Sequence, residues 1–293
     1  MEWSFMLFAF TFLIGIISPV SGVGGGVLFV PIATLIFPFH IDFIRGAGLV
    51  MAVTSALSSV PFLIKKGLAN IKLFAVLAPV MIITSVIGSI LGLQITNAFP
   101  GGKYYIELML GVIILMVFTV MMMAKKLEFP NVEEKEMDSW SKKLKIKGAW
   151  FEPSLNRLVK YNVKNLPISL AVFAVVGLIA GMFGLGAGFA NVPVLNLLMG
   201  MPIKVATATS MLIITANSPA IGIYLTKGAI LPSIVVPAIL GITIGARIGA
   251  KVAEIIKPVF VRWIVLGVLL FAGFMNVLKG LEGLGILPHI FGG

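Results

Sequence analysis

The sequence has no cysteine, only two histidines and few charged residues, which make up 11% of its 293 positions. Without cysteine it forms no disulfide, no iron–sulfur site and no thiolate metal site, and two histidines are too few for a histidine metal site. It also lacks a His-Glu-x-x-His pair and a Walker A phosphate loop. We therefore expect no metal, no cofactor and no enzymatic activity, and neither an ATP-driven pump nor a protease is supported.

Hydrophobic residues make up 59% of the chain and the mean hydropathy is +1.11, which indicates a membrane protein. The net charge of +11 is unevenly spread: ten of the 22 Lys and Arg residues lie within 125–165, and most others flank apolar segments. This distribution is typical of topology signals rather than of a phosphate-binding groove. We expect a multi-pass protein of the cytoplasmic membrane, with the lipid bilayer as a partner and no nucleic acid.

Apolar segments long enough to cross a bilayer occur in two sets of four. The sequence predicts an all-α fold with a first membrane repeat over 1–124, a cytoplasmic Lys-rich linker over 125–166 and a second repeat over 167–293. A short amphipathic helix at Met137–Lys147 or an ordinary linker both suit the middle part. The predicted segments are 3–38, 46–64, 73–96, 104–124, 167–200, 205–225, 229–250 and 260–280.

The first segment of each half contains a glycine-rich phrase, and the two phrases, Gly15–Pro31 and Gly177–Pro193, match at an offset of 162 residues. As one straight helix, residues 3–38 would measure about 54 Å against a hydrocarbon core of about 30 Å. We interpret each long segment as two short helices meeting at a Gly-rich turn, which gives eight segments and up to ten helices. A re-entrant hairpin and two short spans are both compatible with this pattern. Since Glu2 replaces the basic start of a signal peptide and no cleavage site follows, we expect the first segment to be retained.

The distribution of basic residues tests the number of crossings. Four simple spans in each half place 15 Lys and Arg residues inside and 6 outside, whereas an odd number of crossings gives 17 inside and 4 outside. The odd count fits the positive-inside rule better. It predicts that the halves are inverted repeats, with a cytoplasmic linker and external termini.

The phrase Gly-x-Phe-Gly-x-Gly-x-Gly-Phe-x-x-Val-Pro-x-Leu, at Gly181–Leu195, resembles the signature of the sulfite exporter TauE/SafE family of membrane transporters. The copy at Gly15–Pro31, the Thr-Ser and Lys-Gly elements that follow it and the Lys-rich linker resemble that family too. The chain departs from the fuller pattern at Ala187, where a third consecutive glycine is usual, and in having Pro19 and Ser21 where the second copy has glycine and phenylalanine. The resemblance implies transport of sulfite, sulfoacetate or other small sulfur-containing anions.

The glycines lack Cβ atoms, so the backbone can turn and approach a ligand closely, and a helix that begins after each cluster presents free N–H groups to an anion. Helix packing is the alternative role for the glycines, and hydrogen bonds to the helix's own carbonyls are the alternative for the hydroxyls. Arg247 is the deepest cation, with snorkelling to the interface as its alternative. The candidate substrate-binding residues are Ser21, Gly22, Gly24, Gly25, Gly26, Thr54, Ser55, Gly184, Gly186, Gly188, Asn191, Thr209, Ser210 and Arg247.

We therefore interpret the chain as a secondary transporter or facilitator of small anions that works by alternating access. The alternatives are a transporter of another small metabolite and a non-transporting membrane assembly or scaffold protein. The sequence leaves the oligomeric state open, a homo-oligomer included. Glu107 is the one acidic residue within a predicted span, and because it follows Lys103 by one helical turn we expect the two to pair.

Overall fold

The computed structural model describes residues 2–98, 100–123, 130, 132–152, 156–252 and 258–288. Eight of its helices are long and apolar enough to cross a membrane, which confirms the prediction of an all-α polytopic membrane protein. The helices of the membrane part are α1 (Glu2–Ser21), α2 (Gly25–Ile36), α3 (Ile41–Lys65), α4 (Ile71–Ala98), α5 (Gly102–Met123), α7 (Leu166–Phe183), α8 (Gly188–Pro193), α9 (Ile203–Ile214), α10 (Ser218–Thr226), α11 (Pro232–Val252) and α12 (Pro258–Gly283).

The first segment of each half is broken at its glycines, as predicted. A turn at residues 22–24 separates α1 from α2, and the ring of Phe37, just after α2, lies 5.7 Å from the ring of Trp3 at the start of α1. In the second half α8 continues as a π-helical turn, Val194–Leu198, and the Leu198 carbonyl accepts a hydrogen bond of 2.9 Å from Asn165, which precedes α7. Both broken segments are therefore hairpins that return to the side on which they begin.

Glycines bring helices of opposite halves into direct contact. α7 packs along α4, where a Cβ on Gly88 would clash with the carbonyl of Leu178 and one on Gly181 with the carbonyl of Ser85. α1 packs along α11 in the same way, since Cβ atoms on Gly241, Gly245 and Gly249 would clash with the carbonyls of Phe8, Phe12 and Ile16. α5 and α12 pair with each other through Gly111, Gly273 and Gly280. These matched pairings are consistent with an inverted repeat.

The linker differs from both alternatives drawn from the sequence. A 3₁₀ turn at Glu134–Glu136 and a single helical turn, α6 (Ser139–Lys143), precede an antiparallel pair of strands, β1 (Lys147–Glu152) and β2 (Arg157–Asn162). Aromatic and β-branched residues favour the strands, and the rings of Trp150 and Tyr161 pack 6.1 Å apart on their buried face. The predicted helix at Met137–Lys147 is thus reduced to one turn, Ser139–Lys143, and β1 begins at its last residue, Lys147.

Two contacts join the linker to the membrane part. Asn70, between α3 and α4, donates a hydrogen bond of 3.0 Å to the hydroxyl of Tyr161, whose pKa is raised by burial. Lys204, at the start of α9, lies 2.7 Å from the buried carboxylate of Glu152. Lys204 and the linker therefore share one side of the protein. The odd number of crossings requires this, whereas the even number puts them on opposite sides.

Candidate functional site

The turns at the tips of the two hairpins meet in the middle of the protein. A Cβ on Gly188 would clash with the carbonyl of Val23, and one on Gly26 would lie 2.6 Å from the carbonyl of Gly184 and 2.9 Å from that of Leu185. The two approaches mirror each other, because Gly26 and Gly188 hold equivalent places in the two phrases. The glycines thus let backbone approach backbone at a position where no side chain fits.

The turns require a left-handed backbone at several positions. Gly24 and Gly186 have φ of 82° and 78°, a conformation that glycine adopts without strain. Ala187 has φ of 70°, where an alanine is strained. Gly24 and Ala187 directly precede α2 and α8, and neither has a side chain that caps its helix. The first N–H groups of α2 and of the helix over Gly188–Leu198 consequently have no capping side chain at the tips.

Serine side chains surround the first tip. Ser210 donates a hydrogen bond of 2.7 Å to the carbonyl of Gly22, and the hydroxyls of Ser18 and Ser55 lie 2.7 Å apart. Ser21 donates to the carbonyl of Ile17 in its own helix at 3.0 Å, which is the structural role expected of a serine in a membrane helix. The structure therefore brings Ser21, Ser55 and Ser210 to this tip, and Ser18 joins them although the sequence did not single it out.

Two asparagines near the second tip carry unpartnered atoms. Asn191 is on the first turn of α8, its side chain is fully buried, and neither its amide oxygen nor its amide nitrogen has a hydrogen-bond partner among the residues that the structure describes. Asn217 is equally buried; its nitrogen donates to the carbonyls of Ile214 at 3.1 Å and Gly186 at 3.3 Å, and its oxygen has no partner within the described part of the chain. Asn217 ends the 3₁₀ turn Thr215–Asn217 that breaks the span between α9 and α10. A buried amide without partners costs free energy, so these two groups are the clearest sign of a ligand at the tips.

Three predicted residues lie elsewhere or make other contacts. The Thr209 hydroxyl accepts a hydrogen bond of 3.0 Å from the backbone of Asn70, so it supports the α3–α4 loop. Thr54 is half-buried on α3. Arg247 is exposed on α11, the helix that faces α1 through its glycines. Arg247 is therefore not brought to the tips, and its position fits the snorkelling alternative.

Arg45, whose side chain is fully buried, was not among the candidates. It donates hydrogen bonds to the carbonyl of Met182 at 2.8 Å and to the Thr96 hydroxyl at 2.8 Å, and it pairs with Asp42. The Tyr224 hydroxyl donates to the carbonyl of Gly181 at 2.8 Å. Together they hold the last turn of α7, so the second tip is anchored to α3, α4 and α10. In the sequence, the signal for a buried Arg45 is Asp42, which lies three residues earlier near the start of α3 and can pair with it.

A small crevice lies between the tips and the linker side, and none of the described residues that line it is ionisable. It begins beside the ends of α5 and α9 that adjoin the linker and reaches the first turn of α8. Its lining residues are Ser21, Val23, Met121, Gly188, Phe189, Val192, Pro193, Asn196, Leu197 and Ile203. Among the described residues, which exclude His289, no three His, Asp or Glu side chains come together as metal ligands.

Comparisons with known proteins agree on a transporter. The family model described as sulfite exporter TauE/SafE matches residues 7–275. The probable membrane transporter protein YunE of Bacillus subtilis (strain 168) is 23% identical over 275 residues, which cover 91% of this chain and 94% of that protein. No solved structure matches the chain.

Proposed function

Because the chain belongs to the sulfite exporter TauE/SafE family, we propose that this membrane transporter moves small sulfur-containing anions, such as sulfite, sulfoacetate or another organosulfonate, across the cytoplasmic membrane. The proposed binding site is the junction of the two hairpin tips. The observation that carries the proposal is the buried amide of Asn191, which has no partner among the described residues, together with the unpartnered amide oxygen of Asn217, beside the uncapped helix ends. The description of this family as sulfite exporters supports the choice of anion.

Neutral donors suit a transported anion. Backbone N–H groups at two helix ends attract negative charge through the helix dipoles, and an asparagine amide and serine hydroxyls add directional hydrogen bonds. No lysine or arginine lines the crevice, so the anion meets partial charges and is held weakly enough to leave again. The absence of carboxylates from that lining favours oxyanions over cations.

The crevice supports access to the site from the side of the linker. It ends at Gly188 and Val23, where the two tips touch. In our proposal, a shift of one tip against the other closes this route and opens one on the opposite side, as alternating access requires. The pseudo-symmetric placement of the tips supports this, since it gives two related arrangements of one site.

Replacement of Asn191 by leucine tests the site, because the two side chains are similar in size. Removing an unpartnered buried amide should raise the thermal stability of the substrate-free protein, while it should abolish anion flux into proteoliposomes. The matched control is Asn97→Leu at the exposed end of α4, where flux should stay unchanged. Normal flux by the Asn191 variant would place the site elsewhere.

The substrate class is tested by calorimetry on the purified protein with sulfite, sulfoacetate, sulfate, an amino acid and a divalent cation. We expect binding of sulfite or sulfoacetate, and loss of that binding in Asn191→Leu. Selective binding of the amino acid or the cation would overturn the anion proposal. A protein that binds none of them and supports no flux would favour the assembly or scaffold alternative.

A further inference from the structure

A buried carboxylate lies outside the proposed substrate site, on the second turn of α5. Glu107 is 6% exposed; its Oε1 atom is 3.8 Å from the Lys279 Nζ atom on α12, and its Oε2 atom has no hydrogen-bond partner in the described ranges. The pairing with Lys103 expected from the sequence is replaced, because the Lys103 ammonium lies over the ring of Tyr104 at 4.6 Å. A separation of 3.8 Å exceeds hydrogen-bond distance, so Glu107 can take up a proton without losing a side-chain hydrogen bond.

The partner of this carboxylate holds the return arm of the first hairpin. Lys279 donates a hydrogen bond of 2.7 Å to the carbonyl of Thr34 in the last turns of α2. One turn earlier on α12, the Asn276 amide donates to the Pro31 carbonyl at 3.1 Å and accepts from the Thr34 hydroxyl at 2.9 Å. α12 is therefore hydrogen-bonded to α2 through two side chains, Asn276 and Lys279, and Lys279 carries a charge.

We propose that Glu107 is a proton-binding site that controls the hydrogen bonds between α12 and α2. When Glu107 is ionised, its charge keeps the Lys279 ammonium between the carboxylate and the Thr34 carbonyl. Proton binding removes that charge, and Lys279, whose side chain is 38% exposed, turns to the surroundings and releases α2. The first hairpin then moves more easily, so protonation accelerates transport; this consequence rests on the proposed function.

Few other charges act on this site. α12 adds Glu282, close to Lys279 in sequence, and α5 itself adds Lys103. α2 and residues 85–98 of α4 contain no ionisable residue. α12 carries no acidic residue before Glu282, so the second half has no equivalent of Glu107 within its paired helix. A change in charge at Glu107 therefore reaches α2 mainly through Lys279.

Fluorescence tests the proton site without any substrate. The chain has no cysteine, so Ile36→Cys at the exposed end of α2 accepts a single environment-sensitive dye. We expect its emission to titrate with pH in the otherwise unchanged protein, to stop titrating in Glu107→Gln and to titrate normally in the control Glu282→Gln. Emission that titrates equally with and without Glu107, or does not titrate at all, would overturn the proposal. If Glu107→Gln fails to fold, Lys279→Met serves instead and should hold the emission at its acid value.

Flux measurements complete the test. Above the midpoint of the fluorescence titration, flux should fall about tenfold per pH unit, because the protonated fraction falls tenfold. In Glu107→Gln it should stay at the acid level at every pH. A fluorescence titration without anion flux would support the proton site and contradict the proposed function. Flux with the same pH profile in the wild type and in Glu107→Gln would contradict the proton site alone.

Discussion

The carbonyl oxygen of Val23 occupies the space that a Cβ atom on Gly188 would need. The two residues belong to different halves of the chain, so this contact closes one hairpin tip on the other. A backbone carbonyl cannot swing aside as a flexible side chain can. Any residue larger than glycine at position 188 must therefore push the tips apart.

Gly188→Ala should lose most anion flux and should lower the free energy of unfolding by about 1–3 kcal/mol, the usual cost of overpacking. Gly222→Ala is the matched control, because nothing lies within 4 Å of a Cβ at that position and alanine favours the helix. Flux into proteoliposomes and thermal unfolding in detergent measure both effects. Equal flux in the two variants would show that transport does not need the tip contact.

Ala187→Gly should stabilise the protein by about 1 kcal/mol, because Ala187 has φ of 70° and a left-handed backbone costs an alanine about 1–2 kcal/mol. Ala190→Gly, three residues on and inside α8, should instead destabilise by about 1 kcal/mol through the low helix propensity of glycine. Opposite shifts of the melting temperature would confirm the pair. A destabilising Ala187→Gly would mean that the turn is held by other forces than its backbone preference.

Topology can be read from single cysteines at the exposed positions Ser4, Ser139 and Lys227. We expect Ser4→Cys and Lys227→Cys to react with an impermeant thiol reagent added outside, and Ser139→Cys to react only after permeabilisation. The reason is the positive-inside balance of the odd crossing number. Reaction of Ser139→Cys from outside would reverse the predicted orientation.

Asp138 joins the linker to the start of the second hairpin, since its carboxylate accepts hydrogen bonds from the N–H groups of Ser141 and Leu166, both at 3.0 Å. Burial opposes ionisation, but the hydrogen bonds from Ser141, Leu166 and Trp140 outweigh it and lower the pKa of Asp138 below its usual 3.8. Its contribution to stability is thus present above pH 3.8 and lost as the pH falls through the lowered folded value.

Asp138→Ala should therefore cost about 1 kcal/mol near neutral pH, through the loss of a helix cap. The difference from the wild type should shrink as the solution is acidified. Thermal unfolding across pH and protease sensitivity of the linker measure this. A difference that does not change with pH would assign the loss to packing rather than to the carboxylate.

The sequence predicted the breaks at the glycine phrases because glycine clusters in over-long apolar segments leave few other structures in a bilayer. It also singled out Asn191, because an amide in an apolar segment needs a hydrogen-bond partner; the role of Asn191 in substrate binding stays a prediction. It did not predict which helices pair, because the glycines on α4 and α11 indicate close packing but do not identify the helix that packs against them. The strands around Trp150 were missed since alternating Lys and apolar residues suit a helix turn as well as a strand. The contact of Arg45 with the end of α7 was not predicted, because nothing in the local sequence shows that α7 ends beside it.

α1 packs against α11 and α7 packs against α4, so the broken segment of each half packs against a helix of the other half. One half expressed alone would lack the helix of the other half against which its own hairpin packs. In the proposed transport cycle, the bodies that move against each other are therefore made of helices from both halves, and neither coincides with a stretch of continuous sequence. With the predicted inverted topology, two such halves on separate chains would have to insert in opposite orientations and associate before the proposed site could form.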